Sequence, residues 1–299
     1  MSNLFGTLLT MENDIIGWWS GGVTSAVTCK AIIDIYGLDR CRFIFIDTDN
    51  EDDDTYRFKT ECSSWYGKEI ETISAIGDKF NSIQEVWEHY LSLNNATGAI
   101  CSSTLKRDVR LKWEKKNTFT HQAFGFDLDE PNRVKSMAKN HKKAKPIFPL
   151  WMLGLDKKDC IEILEEVEIE VPKAYQLGFT NNNCLVTGCI QGGIGYWQKM
   201  QIDFPDRFDK MAVMEHKLTS LKGKPVTMLK DQGKEAKANG NHLLFLKPHP
   251  DYPHLKDISM MKGREVKPLM DCNGVCGTND FDRNETEEEI NFNQLDLFS

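Results

Sequence analysis

The chain has 299 residues, 40% of them apolar and 27% charged, the proportions of a globular protein with a sizeable core and not of a fibrous or unfolded chain. Its formal net charge of -8 excludes a protein that grips a polyanion by overall charge, so any nucleic-acid contact has to come from a local patch or a partner. No stretch approaches the about 20 apolar residues that span a bilayer, so no membrane association is expected.

The opening MSNLFGTLLTMEND has no basic n-region and no A-x-A-like cleavage site, which reads as no signal peptide and a cytoplasmic location. In that compartment thiols stay reduced. Nine cysteines then point to metal binding, catalysis or core packing before disulfides.

In chain order, Ile15–Trp19 reads as a strand and Thr24–Tyr36 as a helix with Gly37 just past its end. Arg42–Asp47, RFIFID, is a second strand, apolar enough to be buried on both faces. Asp52–Tyr66 reads as a helix, Glu69–Ile73 as a strand, Ser82–Leu93 and Ser102–Lys116 as helices, and His121–Asp127 as a further strand. KPIFPLWMLGLDKKDCIEILEEV predicts a short extended piece and a helix. Strand alternating with helix predicts an α/β doubly wound, mainly parallel sheet with helices on both faces. Ligands of such sheets sit beyond the carboxyl ends of the strands, which places Ser20–Ser25, Asp47–Asp54 and Gly125–Glu130 on one rim. Pro172–Phe208 is rich in Gly, Asn and aromatics, and Glu215–Pro250 is polar and weakly patterned. Three regions are expected: a nucleotide-binding domain over 12–215, a C-terminal extension over 216–278 that completes a cysteine site, and an acidic tail over 279–299. The tail carries seven acidic residues against one basic, a composition that does not fold alone.

The turn SGGVTS, Ser20 to Ser25, joins the first strand to the first helix. Gly21 and Gly22 let the backbone approach a ligand, and successive N–H groups ahead of a helix make an anion site to which Ser20 and Ser25 add hydroxyls. An ordinary strand-to-helix turn, with Thr24 or Ser25 as the cap, explains the same residues. Neither the Walker pattern nor G-x-G-x-x-G is present.

SGGVTS resembles the S-G-G-x-x-S PP-loop of the N-type ATP pyrophosphatases. With FIDTDNEDDDTYRF, GAICSSTLKRDVR, FGFDLDEPNR, PKAYQLGFTNNNCLVTGCIQGGIGYW and DFPDRF, the chain from about Ile15 to about Leu218 resembles the phosphoadenosine phosphosulfate (PAPS) reductase-like family. The resemblance implies a Rossmann-like, HUP-type fold and binding of ATP or a related adenine nucleotide. It assigns the phosphates to Ser20, Gly21, Gly22, Val23, Thr24 and Ser25, and the adenine and ribose side to Asp47 and Thr48. It also implies adenylation of a substrate with release of pyrophosphate, or related sulfur transfer, with nucleic acid as one acceptor class. Many members carry Asp where this chain has Thr24; an Asp there helps orient a metal or water, and Thr cannot carry that charge. PAPS reductases themselves have a C-terminal E-C-G-[IL]-H cysteine motif that this chain lacks, which argues against sulfonucleotide reduction.

Glu51, Asp52, Asp53 and Asp54 read as N-terminal charge on a helix, with Mg²⁺ binding near phosphates as the alternative. From Lys106 to Lys145 twelve Lys/Arg stand against five Asp/Glu. Lys106, Arg107 and Arg110 lie at helical spacing, and Arg133 follows a strand end. These cations either cover solvated helix faces or reach ligand phosphates, and the resemblance favours a catalytic role for Lys106, Arg107 and Arg133. Cys184 and Cys189, and Cys272 and Cys276, are two short-spaced pairs in Gly/Asn-rich loops. They are expected to converge on Zn²⁺ or an iron–sulfur cluster; loop thiols without metal are the alternative. Cys101, near Lys and Arg at a helix start, reads as a nucleophile, a fifth metal candidate or a neighbour of an anion site. Cys29, Cys41, Cys62 and Cys160 fall on strands and helices and read as packing residues.

Gln294, Leu295, Asp296, Leu297 and Phe298, QLDLF, resemble the pentapeptide with which bacterial DNA polymerases and repair proteins bind the DNA sliding clamp. Leu295, Leu297 and Phe298 would anchor in a groove and Gln294 would supply hydrogen bonds. A C-terminal LF that folds back on the core is the alternative. A nucleotide-binding adaptor that acts on the clamp without turnover is therefore a second functional reading.

Overall fold

The computed structural model describes residues 15–95, 98–182, 184–240, 242–267 and 269. Strand β1, Ile15–Trp19, runs into helix α1, Val23–Tyr36. Then follow β2 (Cys41–Asp47), α2 (Asp53–Tyr66), β3 (Ile70–Ser74) and α3 (Ile83–Tyr90). Residues 100–114 are helical throughout, but Ser103–Arg107 form a π-helical turn ahead of α4, Asp108–Glu114. Strand β4 is His121–Ala123, α5 is Pro131–Asn140 and β5 is Pro146–Ile147. The short α6 (Pro149–Leu153) and α7 (Lys157–Glu166) complete the first half.

These five strands form one all-parallel sheet in the order β3-β2-β1-β4-β5. The order reverses direction between β1 and β4, and that switch opens the crevice in which doubly wound sheets take ligands. Alternation along β1 decides which face is which. Ile15 and Trp19 pack with Val23, Phe58, Cys62 and Cys160 under α1, α2 and α7. Ile16 and Trp18 pack with Val109, Trp113, Val134 and Met137 under α4 and α5. The expected α/β doubly wound sheet with helices on both faces is the fold of the molecule.

Strand β4 stops at Ala123, short of the expected end at Asp127. The N–H of Phe126 turns back to the Phe124 carbonyl at 2.9 Å, and the chain crosses over the start of α1 instead of continuing the ladder.

Beyond α8 (Lys173–Gln176), two helices follow, α9 (Ile194–Asp203) and α10 (Pro205–Lys222). Strands β6 (Leu229–Lys230), β7 (Leu243–Phe245) and β8 (Lys256–Asp257) make a second sheet in the order β8-β7-β6. Helix α10 runs across the boundary expected at 215, and one core joins Trp87, Trp197 and Phe208 to Leu244 and Ile258 on the far side. Glu215, fully buried on α10, accepts the N–H groups of Met228 (2.8 Å) and Leu246 (2.7 Å) and so ties the helix to the small sheet. Burial pushes its carboxyl up to about 8. Cys272, Cys276, the acidic tail and Gln294–Phe298 lie outside the described residues. No helix among the described residues is long and apolar enough to cross a membrane.

Candidate functional site

The Ser20–Ser25 turn lies at the carboxyl end of β1, beside the reversal of strand order. Gly21 sits at φ +86, where an L side chain is strained. The Ser25 hydroxyl organises the turn. It donates to the Gly22 carbonyl (2.8 Å) and accepts the Ser20 N–H (3.0 Å) and the Ser20 hydroxyl (3.0 Å). Helix α1 has no side-chain cap at Gly22 and no carboxylate in its first turn. In α2, α3 and α7, by contrast, Asp52, Ser82 and Asp156 accept a backbone N–H. The alternative, a cap at Thr24 or Ser25, is not the arrangement found. Both side chains are buried inside the first turn, and the positive end of α1 is left without an anionic partner from its own sequence.

Three residues hold this turn, Gly125 from the segment placed on the rim by the sequence, and Asn182 and Tyr175, which the sequence did not single out. The Asn182 amide donates to the Gly21 carbonyl (2.9 Å) and to Thr55 Oγ1 (3.0 Å). The Val23 N–H donates to the Tyr175 hydroxyl at 3.3 Å. Gly125 passes so close to the turn that a Cβ would lie 2.8 Å from both Ser25 Cα and Ser25 N. The segment holding Tyr175 and Asn182 was visible as a Gly/Asn-rich stretch, but nothing in NNNC tells which Asn turns inward.

At the end of β2, Asp47 accepts from the Tyr56 hydroxyl (3.0 Å to each oxygen) and from the Asp49 N–H (2.9 Å). Burial, and after it Asp47, Glu51 and Asp49, raise Tyr56, which stays a donor. Thr48 is buried and donates to Glu51 (3.2 Å); Glu51 also pairs with Lys106 (3.1 Å), with both of those side chains almost wholly enclosed. Three members of the acidic run are engaged in structure: Glu51 by Lys106, Asp52 by the α2 cap and Arg207, and Asp54 by Arg57 and the Lys173 N–H. These contacts fit the reading of the run as N-terminal charge on a helix.

The basic residues part company. The π turn aims Lys106 inward at Glu51, leaves Arg107 part-exposed beside Asp108, and buries Arg110 completely against Glu114. Arg110 is thus a core cation and not one of the rim. π-Turns of this kind recur at functional sites. Arg133 pairs with Glu130 and lies 4.2 Å from the centre of the Phe126 ring.

Cys101, Cys184 and Cys189 line one small cavity together with Thr48 and Lys106. It has ≈ 20 Å³ of space, room for about one water. Three loops converge there: the π turn, the β2 loop and the Cys184–Cys189 segment. Asn50 ties the last two through Thr187 (2.8 Å). The donor set suits a soft metal. The geometry as it stands does not: among the described residues no group of three or more His, Cys, Asp or Glu is arranged to hold an ion. Cys62 and Cys160 are pushed up to about 12, chiefly by burial, and Cys29 is also raised; together with the buried Cys41 these are packing thiols.

No family model and no curated protein matches the chain. Among solved structures it is similar to NMN synthetase from Francisella tularensis, with a TM-score of 0.35 and 13% identity over 69% of this chain and 87% of that one. It is also similar to the U34-tRNA thiolase NcsA from Methanococcus maripaludis with its 4Fe–4S cluster, with a TM-score of 0.33 and 15% identity over 79% of this chain and 83% of that one. At these scores neither likeness assigns an activity, a ligand or a family to this chain.

Proposed function

We propose that the chain is an adenine-nucleotide enzyme of the PP-loop kind, which binds ATP or a related nucleotide at Ser20–Ser25. The observation that carries this reading is the start of α1 at the sheet's switch point, which has no side-chain cap at Gly22 and no carboxylate in its first turn and is braced from three sides by Asn182, Tyr175 and Gly125. A turn built to stay open and rigid suits an anionic ligand. Asp47 and Thr48, at the neighbouring strand end, suit the nucleoside side.

The reaction that fits is adenylyl transfer. An acceptor oxygen or sulfur attacks the α-phosphorus, the α–β bridging bond breaks, and pyrophosphate leaves; a Mg²⁺ ion brought in with the nucleotide would supply further charge stabilisation for that leaving group. The turn amides and cations would stabilise the charge that develops. Lys106 and Arg133 are held by Glu51 and Glu130, so each would exchange a carboxylate for a phosphate oxygen. Nucleic acid is the acceptor class we favour, with related sulfur transfer as the alternative chemistry.

A Zn²⁺ ion or iron–sulfur cluster on Cys184, Cys189, Cys272 and Cys276 belongs to the same proposal. In its support, the Leu269 N–H donates to Asn181 (2.8 Å). That bond holds Leu269, the last described residue, beside the loop that carries Cys184. Cys101 competes for a place in that set.

The second reading is an adaptor that binds nucleotide without cleaving it and uses Gln294–Phe298 to occupy the sliding clamp. Thr24, buried where an Asp would carry charge, favours it. ATP–pyrophosphate exchange separates the two: exchange stimulated by DNA, tRNA or a sulfur donor supports the enzyme. Tight ATP binding with no exchange under any of them supports the adaptor.

A further inference from the structure

A second cavity, of ≈ 550 Å³, opens between the start of α9, strand β6 and the segment 264–267. Its lining includes Gly193, Tyr196, Lys230, Arg264, Glu265 and Lys267. Three cations thus face it against one carboxylate, in a chain whose net charge is -8. Among the described residues none of the three forms an ion pair. The nearby Asp231 accepts from the Gly233 N–H and pairs with Lys256 at 3.0 Å, and it also feels the charge of Arg264, so Lys230 and Lys267 are the cations with no carboxylate acting on them among these contacts. An excess of cations around a concavity is what a string of phosphates recognises.

The cavity also adjoins the thiol cavity. Tyr196 lines the larger space, and its hydroxyl accepts the N–H of Cys189, which lines the smaller one, at 2.9 Å. One buried tyrosine therefore stands between the two.

We propose that this cavity binds the phosphodiester backbone of single-stranded nucleic acid through Lys230, Arg264 and Lys267, and brings the strand up to the Cys101, Cys184 and Cys189 cavity across Tyr196. A space of ≈ 550 Å³ suits a short segment of an unpaired strand better than the width of a duplex. The assignment does not depend on what the Ser20–Ser25 turn binds.

The test is fluorescence anisotropy of the full chain with a short labelled single-stranded oligonucleotide, in DNA and RNA forms, over a range of salt concentrations. The wild type should bind with a salt slope that falls by about 2 in the triple variant Lys230→Ala, Arg264→Ala, Lys267→Ala, at about 0.7 per lost phosphate contact, with affinity down about tenfold or more. ATP binding, read separately, should not change. Should the triple variant not fold, Lys230→Ala and Lys267→Ala, both at exposed positions, each carry the test with a slope change of about 0.7. Lys230→Arg should retain binding. The proposal is overturned if the wild type does not bind at low salt, if the variants keep its affinity and slope, or if a duplex of the same sequence binds equally well.

Discussion

Replacing Gly125 by Ala tests the bracing of the Ser20–Ser25 turn. The added Cβ would stand 2.8 Å from Ser25 Cα and Ser25 N and 3.1 Å from the Thr24 carbonyl carbon. Carbon atoms in contact prefer about 3.5–4.0 Å, so the end of β4 or the start of α1 must retreat by about 1 Å. Both are main chain, and no side-chain rotamer can relieve the contact. Overpacking of this kind costs about 1–3 kcal/mol. The same displacement moves the N–H groups proposed to meet phosphate, and misplacement by about 1 Å can cost on the order of 100-fold in a positioned reaction. The assay pairs a urea midpoint with ATP binding by titration calorimetry. Gly125→Ala should lower both, and Gly263→Ala, where a Cβ meets nothing within 4 Å, should change neither. A Gly125→Ala protein with wild-type stability and wild-type binding would refute the idea that β4 fixes the turn.

The enclosed Glu51–Lys106 pair should punish single loss: Lys106→Met or Glu51→Gln is expected to lower stability by about 3–5 kcal/mol by leaving one buried charge unmatched, and the double variant should recover part of it, as denaturant titration will show. Glu215 sets a pH dependence. Its folded value of about 8 lies above its unfolded one, so its contribution is greatest below about 4.5 and is lost as pH rises toward 8, by up to about 1.4 kcal/mol per pH unit. The stability difference between wild type and Glu215→Gln, followed by urea midpoints across that window, should show this slope; a flat difference contradicts the buried acid. In the tail, Leu297→Ala with Phe298→Ala should abolish sliding-clamp binding in a pull-down and leave ATP binding intact, whereas undiminished clamp binding would remove that partner.

Much of the sheet was legible because its causes are local. The β1 run is apolar on both faces, and the RFIFID strand can only be a buried one, so strand existence followed from composition and period. The end of β4 was not legible, because Gly125 owes its conformation to a helix about a hundred residues earlier. The π turn was invisible for a related reason. Ser103–Arg107 read as ordinary helix, and the extra residue that separates Lys106 from Arg110 is set by what each side chain meets, Glu51 for one and Glu114 for the other. Cys184 and Cys189 stood out by their loop setting. Their meeting with Cys101 on one cavity is a fact of topology that no spacing records. Asn182 and Tyr175 were hidden among similar neighbours, and only the direction of the chain selects them.

The Ser20–Ser25 turn is proposed to hold the phosphates of an adenine nucleotide. Titration calorimetry of ATP into wild type and Ser25→Ala tests it most directly, because Ser25 makes three of the turn's hydrogen bonds and lies away from the thiol and basic cavities. Saturable binding to the wild type, weakened about tenfold or more in Ser25→Ala for the loss of bonds worth about 0.5–1.5 kcal/mol each, is the predicted result. No binding to the wild type, or equal binding to both proteins, would contradict it.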